Sequence, residues 1–297
     1  MAVTKAVVPV AGLGTRLLPA TKSQPKEMLP VGYKPVVQYV VEELIEQGID
    51  KFLFVTGRKK RSIEDHFDDD PELETRLSGK GEPSDFGEMD YEARGVDFFY
   101  VRQRRAAGNG DAVRMAAEFV GSDSFVVAFG DHIVHSDRDP GVVARMVESH
   151  ESNQSAATVG VWEVAQEDVF KYGIVQPVGG RDNGEEEFPI EDIVEKPSVE
   201  EAPTCLAVAA RYVFTSSIFE AIAQIKPGLG GELWLADAIR QQIKNKETVR
   251  CVRLTDQEGR YDIGTPATYY RAFVDFALAD GENGEELKQY LKQKLAE

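Results

Sequence analysis

The 297-residue chain is predicted to fold as an α/β protein. A Rossmann-like mixed, mainly parallel central sheet is flanked by helices, with a smaller antiparallel extension and a helical C-terminal tail. Three observations predict this. Short runs that are apolar throughout recur in the first half, as strands buried on both faces of a parallel sheet require. Stretches with helical spacing separate them, which is the βαβ pattern. In the second half, four strand-like runs follow one another with few helices between, and helical periodicity then returns toward the C-terminus.

The elements follow in order. "KAVVPVA" (5–11) is a short buried strand. Pro35 suits a first helical turn, and Val37, Val40, Val41, Leu44 and Ile45 repeat at helical spacing until Gly48 stops the helix. "KFLFVTG" (51–57) is the second strand, with a short helix over about 62–67. "VDFFYVRQ" (96–103) is the third, followed by a helix over about 109–119. "SFVVAFGD" (124–131) is the fourth and ends at Asp131. Between Phe67 and Val96 the chain is polar, acidic and glycine-rich, which predicts a surface excursion with a helical turn or two. "SAATVGVWEV", "YGIVQPV", "PIEDIVEK" and "LAVAARYVF" supply the later strands. Helices are predicted over about 216–224, 233–244, 266–277 and 284–296.

Charge narrows the partners. A formal net charge of −17 argues against general nucleic-acid or anionic-membrane binding, because both need a basic face. The short run "GRKKR" (57–61) reads as a solvated helix start. No apolar run approaches the roughly 20 residues that span a bilayer, and no secretory pattern opens the chain. Cys205 and Cys251 have no metal-type spacing, so a reducing, cytoplasmic setting is expected.

The first strand runs into "VVPVAGLGTRLLPATKSQPKEMLP" (7–30). This is not a P-loop, because Thr15-Arg16 follows Gly14, and the dinucleotide fingerprint lacks its third glycine at Leu17. Pro19, Pro25 and Pro30 are expected to keep the segment extended, so that it wraps a ligand. Small residues at Ala11, Gly12 and Gly14 let backbone N–H groups approach an anion or a flat base. Arg16 offers a planar fork for phosphate oxygens and Lys26 a mobile point charge.

These residues match G-x-G-T-R-L-x-P-x-T-x-x-x-P-K, and the segment from Val8 to Tyr39 resembles the signature of sugar-phosphate nucleotidyltransferases. The wording is similar to one branch in particular, the bacterial-type UTP–glucose-1-phosphate uridylyltransferases, and later motifs appear in the expected order. The resemblance implies the nucleotide-diphospho-sugar transferase fold as a single domain. Residues 1–135 would be the nucleotide-binding half and 136–264 the sugar-phosphate-binding half. The C-terminal helices, 265–297, are a possible oligomer contact. Arg16, Lys26 and Lys196 would be catalytic. Ala11, Gly12, Gly14, Gln103 and Gly108 would hold the nucleotide, and Gly173, Glu195 and Lys196 the sugar phosphate. Asp131, and Asp262 in "GRYDIGTP", would bind Mg2+.

The implied reaction joins UTP and glucose 1-phosphate into UDP-glucose and pyrophosphate in a homodimer or homotetramer. Gln103 by itself does not separate uracil from cytosine, because a carboxamide can turn over to match either edge. Asp111 stands where this branch would carry histidine, and Gly231 and Trp234 also depart from the pattern in "GGELWLADAI", a stretch read as packing near the sugar. A thymidylyl- or cytidylyltransferase, or a non-catalytic sugar-nucleotide-binding protein, stays open. None of His66, His132, His135 and His150 has ligand spacing, and His132 reads as structural.

Overall fold

A computed structural model describes residues 3–72, 75 and 91–296. Most of the acidic excursion between Phe67 and Val96 lies outside the described residues. The strands are β1 (Lys5–Pro9), β2 (Pro30–Val31), β3 (Lys34–Pro35), β4 (Lys51–Thr56), β5 (Asp97–Arg102), β6 (Phe125–Ala128) and β7 (His132–Ser136). There follow β8 (Ala157–Glu163), β9 (Gly173–Pro177), β10 (Glu187–Glu195), β11 (Leu206–Phe214), β12 (Val249–Arg253) and β13 (Glu258–Asp262). The helices are α1 (Val36–Glu46), α2 (Arg61–Phe67), α3 (Asn109–Arg114), α4 (Ala117–Val120) and α5 (Val142–Ser152). The later ones are α6 (Ser217–Gln224), α7 (Leu235–Lys244), α8 (Pro266–Ala279) and α9 (Gly284–Ala296).

Nine strands form one sheet in the order β5-β4-β1-β6-β11-β8-β12-β10-β9. The β5-β4-β1-β6 part is parallel throughout. From β11 onward most pairings are antiparallel, with β8 and β12 a parallel exception. The extension is thus continuous with the parallel half. β7 and β13 make a separate two-stranded ladder.

The apolar strands β1, β4 and β6 are buried on both faces, as their composition demands, whereas β5 lies at the sheet edge with Phe99 exposed. On β1, Val7 packs on one side with Val55, Val127 and Leu235, while Ala6 and Val8 pack on the other with Val37, Val40, Val41 and Leu44 of α1. That is the two-residue period of a strand feeding two layers. The four α1 side chains are fully buried, each worth about 1.5–3 kcal/mol. Gly48, at φ 88°, closes the helix by donating to Ile45 O at 3.0 Å.

Two differences from expectation have local causes. The helix over 109–119 is divided, because Met115 and Ala116 donate to carbonyls three residues back, at 3.2 and 2.9 Å, and tighten the chain before α4. α5, with β2, β3, β7, β12 and β13, is not among the elements the sequence predicts. Its buried face is only Val142, Val143, Met146, Ser149 and His150, too polar to stand out.

Candidate active site

The carboxyl ends of β1 and β6 lie side by side in the parallel part of the sheet, where such sheets bind ligands. A Cβ on Gly130 would fall 2.5 Å from Val10 Cγ1, so only glycine lets the end of β6 close on β1 and bring Asp131 to the loop. Lys26 Nζ forms an ion pair with Asp131 Oδ2 there. Burial disfavours the Lys26 ammonium, but Asp131 and Glu27 outweigh it and raise its pKa. Burial likewise opposes the Asp131 carboxylate, yet Lys26 and His132 hold its pKa well below the usual range. The pair is charged at neutral pH.

The loop itself corrects one expectation. After Gly14, at φ 64°, the chain is not extended but makes three short 3-10 turns, Thr15–Leu17, Ala20–Lys22 and Lys26–Met28. Pro19 and Pro25 stand immediately before the second and third turns, pre-setting φ for the chain's entry instead of excluding helical geometry.

Asp262 reaches Asp131 through the β7–β13 ladder, in which it pairs with His132. The His132 ring lies between the two aspartates, with Nδ1 2.9 Å from Asp131 Oδ1 and Nε2 3.6 Å from Asp262 Oδ1. Arg16 joins this group. A Cβ on Gly264 would fall 2.7 Å from Asp262 Oδ1 and 3.3 Å from Arg16 Nη2. Beneath it, the fully buried Arg211 donates to Glu43 and, at 2.9 Å, to His132 O.

Two cavities meet at these residues. One, of about 350 Å³, is lined by Ala11, Gly12, Gln103 and Gly108. The other, of about 650 Å³, is lined by Gly173, Glu195, Asp262 and Arg260. Arg16, Asp131, His132, Lys196 and Trp234 line both, and Lys26 lines the first. Gly14 lines neither; its carbonyl accepts from Thr21 Oγ1 at 2.7 Å, so it shapes the turn.

In the smaller cavity, Gln103 follows β5 and donates Nε2 to Asp111 Oδ2 at 2.8 Å and to Gly108 O at 3.2 Å. A Cβ on Gly108, at φ 98°, would fall 2.3 Å from Leu233 O. Leu233 N donates to Ala107 O at 2.9 Å and Leu235 N to Asn109 Oδ1 at 2.8 Å. The "GGELWLADAI" stretch therefore braces the Gln103 loop and places Glu232 and Trp234 on the smaller cavity; it is not confined to packing near the larger one.

In the larger cavity, Glu195 on β10 faces Gly173 on β9, where a Cβ would fall 3.2 Å from Glu195 Oε2. Burial pushes the Glu195 carboxyl up, against the neighbouring Lys196. Lys196 Nζ lies 4.0 Å above the Trp234 ring and 3.4 Å from Glu195 Oε1. Arg260 lies over both Trp162 and Tyr172, its Cζ 5.1 Å from each ring centroid.

Several of these roles escaped the sequence reading. Lys60 of "GRKKR" is not solvated; it is buried against Glu27 Oε2 at 2.6 Å, while Arg58, Lys59 and Arg61 are exposed. Burial pushes Glu27 up and Lys60 down, each partly offset by the other. Nothing in the run distinguishes Lys60 from its neighbours. His132 likewise does more than pack, and its adjacency to Asp131 was the available signal.

The nucleotidyl transferase family model matches residues 5–278. The UTP–glucose-1-phosphate uridylyltransferase YngB of Bacillus subtilis is 43% identical over 293 residues, covering 99% of this chain and 96% of the relative. A UTP-bound UGPase from Acinetobacter baumannii superposes with a TM-score of 0.85 at 37% identity, covering 97% of this chain and 98% of that one. A UDP-glucose pyrophosphorylase complexed with UDP-glucose gives 0.82 at 35% identity, over 94% and 100%. On this footing, with motif, sheet order and cavity all in agreement, the chain belongs to the nucleotidyl transferase family, in the branch formed by the UTP–glucose-1-phosphate uridylyltransferases.

Proposed function

We propose that the chain transfers a uridylyl group from UTP to glucose 1-phosphate, releasing pyrophosphate and UDP-glucose. The observation that carries this is the junction of the two cavities. Arg16, Lys26 and Lys196 converge where a nucleotide in one would meet a sugar phosphate in the other. A sugar phosphate is already largely dianionic at neutral pH, so its attack on the α-phosphorus needs no base. It needs alignment and cancellation of repulsion.

Each residue then has a task. Ala11 and Gly12 let the nucleotide lie against the backbone, and Gln103 and Gly108 receive the base. Arg16 and Lys26 neutralise the triphosphate and the departing pyrophosphate. Lys196 holds the attacking phosphate, while Glu195 and the Gly173 backbone receive sugar hydroxyls. Asp131, His132 and Asp262 each offer a ligand atom within 4.8 Å of the others, and the two carboxylates are the hard oxygen donors that Mg2+ prefers. Bound by Asp131 and Asp262, Mg2+ would supply charge neutralisation between the two phosphates.

We further place the chain in the cytoplasm, as the two free cysteines favour; among the described residues no helix is long and apolar enough to cross a membrane. A homodimer or homotetramer through α8 and α9 is supported by the exposed Tyr270, Phe273, Val274 and Tyr290. The decisive experiment offers UTP, CTP, dTTP, ATP and GTP with glucose 1-phosphate and reads pyrophosphate release. UTP is expected to give the highest kcat/KM; equal or better use of another triphosphate would overturn the reading.

A further inference from the structure

Asp111 occupies the position where the family pattern departs, and it lies against Gln103, the side chain assigned to the base. Gln103 is 7% exposed and Asp111 9%, so both are largely withdrawn from bulk water. Gln103 Nε2 donates to Asp111 Oδ2 at 2.8 Å and to Gly108 O at 3.2 Å. Both partners are acceptors only, a carboxylate and a backbone carbonyl. The atom turned toward them must therefore be the nitrogen, and both amide hydrogens are consumed. Arg114 occupies the other carboxylate oxygen, with Nη2 2.6 Å and Nε 3.2 Å from Asp111 Oδ1, so Oδ2 remains for Gln103. Among the described residues nothing donates to Gln103 Oε1, and Gln103 lines the smaller cavity.

We propose that Asp111 is a positioning residue for base selection: it fixes the Gln103 carboxamide so that the cavity presents an acceptor, which favours a base with N–H at ring position 3 over one with a bare nitrogen there. The inference rests on the nucleotidyl-transfer reading above and deepens it. Uracil carries that N–H, and cytosine would set its ring nitrogen lone pair against Oε1. Thymine shares the imide and is not excluded by this device. The ambiguity of a lone glutamine, which could turn to suit either pyrimidine, is removed by a neighbour eight positions along the chain.

The test measures kcat/KM for UTP and CTP in the intact enzyme and in Asp111→Asn. An asparagine can donate to Oε1, so the Gln103 amide gains a second orientation. The UTP-to-CTP preference is expected to fall by roughly tenfold, the order of one lost charge-assisted hydrogen bond. A merely structural role would lower both triphosphates together, and an unchanged ratio would overturn the proposal. The wild-type enzyme gives a second readout that needs no variant. 3-Methyl-UTP lacks the N–H, and its kcat/KM is expected to be at least about tenfold below that of UTP; equal use would overturn the proposal even if Asp111→Asn does not fold. A wild-type enzyme that rejects UTP altogether would instead sink the parent reading.

Discussion

Lys26 and Asp131 hold each other in an ion pair where the two cavities join, and under the proposed function each would also meet an incoming ligand. The ammonium is the natural partner of a phosphate and the carboxylate of a divalent cation. Were a phosphate and a divalent cation to bind there, one internal pair would be exchanged for two external ones. Without ligand the two charges neutralise each other, which lets the protein keep a lysine and an aspartate largely buried.

Asp131→Asn tests that arrangement. The substitution leaves Lys26 unpaired at the wall of a cavity that water can enter, so the stability loss is expected to be about 1–2 kcal/mol, below that of a pair broken in a closed interior. Turnover should fall at least about 100-fold, because both metal and Lys26 are misplaced. Calorimetry and pyrophosphate release measure the two effects. Near-normal turnover at saturating Mg2+ would refute the role of Asp131.

Glu27 and Lys60 form a second pair one residue away, more deeply buried than the first. Lys60→Met should cost about 3–5 kcal/mol in urea unfolding, because it leaves the buried Glu27 carboxyl without its partner. The double variant Glu27→Gln with Lys60→Met should recover much of that loss. If both were equally destabilised, the cost would lie in packing and not in the uncompensated charge.

These two pairs mark the limit of what the sequence makes legible. Apolar runs such as "KFLFVTG" announce a buried strand, because composition alone dictates that environment. The first-loop motif announces a shared cavity wall, because Gly12, Arg16 and Lys26 lie within one segment. Pairings across the fold are different. Lys26 meets Asp131, and Gln103 is turned by Asp111, only because sheet order and the Gly108 turn bring them together. β13 is half-exposed along its whole length and carries no strand-like apolar pattern, yet it delivers Asp262.

His150 predicts an acid dependence of stability. Burial holds its pKa down at about 4, and the ring lies 3.3 Å from Ser124 Oγ and Thr158 Oγ1. The folded protein keeps the ring neutral, whereas the unfolded chain takes up a proton below its ordinary value of about 6.5. The contribution is therefore complete above about pH 6.5 and is lost as pH falls toward 4, by up to about 3 kcal/mol. Urea unfolding across this range should show a shallower pH slope in His150→Asn than in wild type. Identical slopes would mean that the ring is not the source.

Lys196 offers a spectroscopic test of the proposed sugar-phosphate site. Its ammonium stands on the face of Trp234 without ligand, a contact worth about 0.5–2 kcal/mol that a phosphate dianion can outbid. With Trp162→Phe, Trp234 is the sole tryptophan, and glucose 1-phosphate should change its emission by drawing Lys196 off the ring. Adding Lys196→Ala should abolish that change, raise the KM for glucose 1-phosphate by at least about tenfold and lower kcat, with a smaller effect on the KM for UTP. A defect confined to UTP would move Lys196 to the nucleotide side. That outcome is a real alternative, because Lys196 and Trp234 line both cavities and only the response to each substrate separately tells which phosphate the lysine leaves the ring to meet.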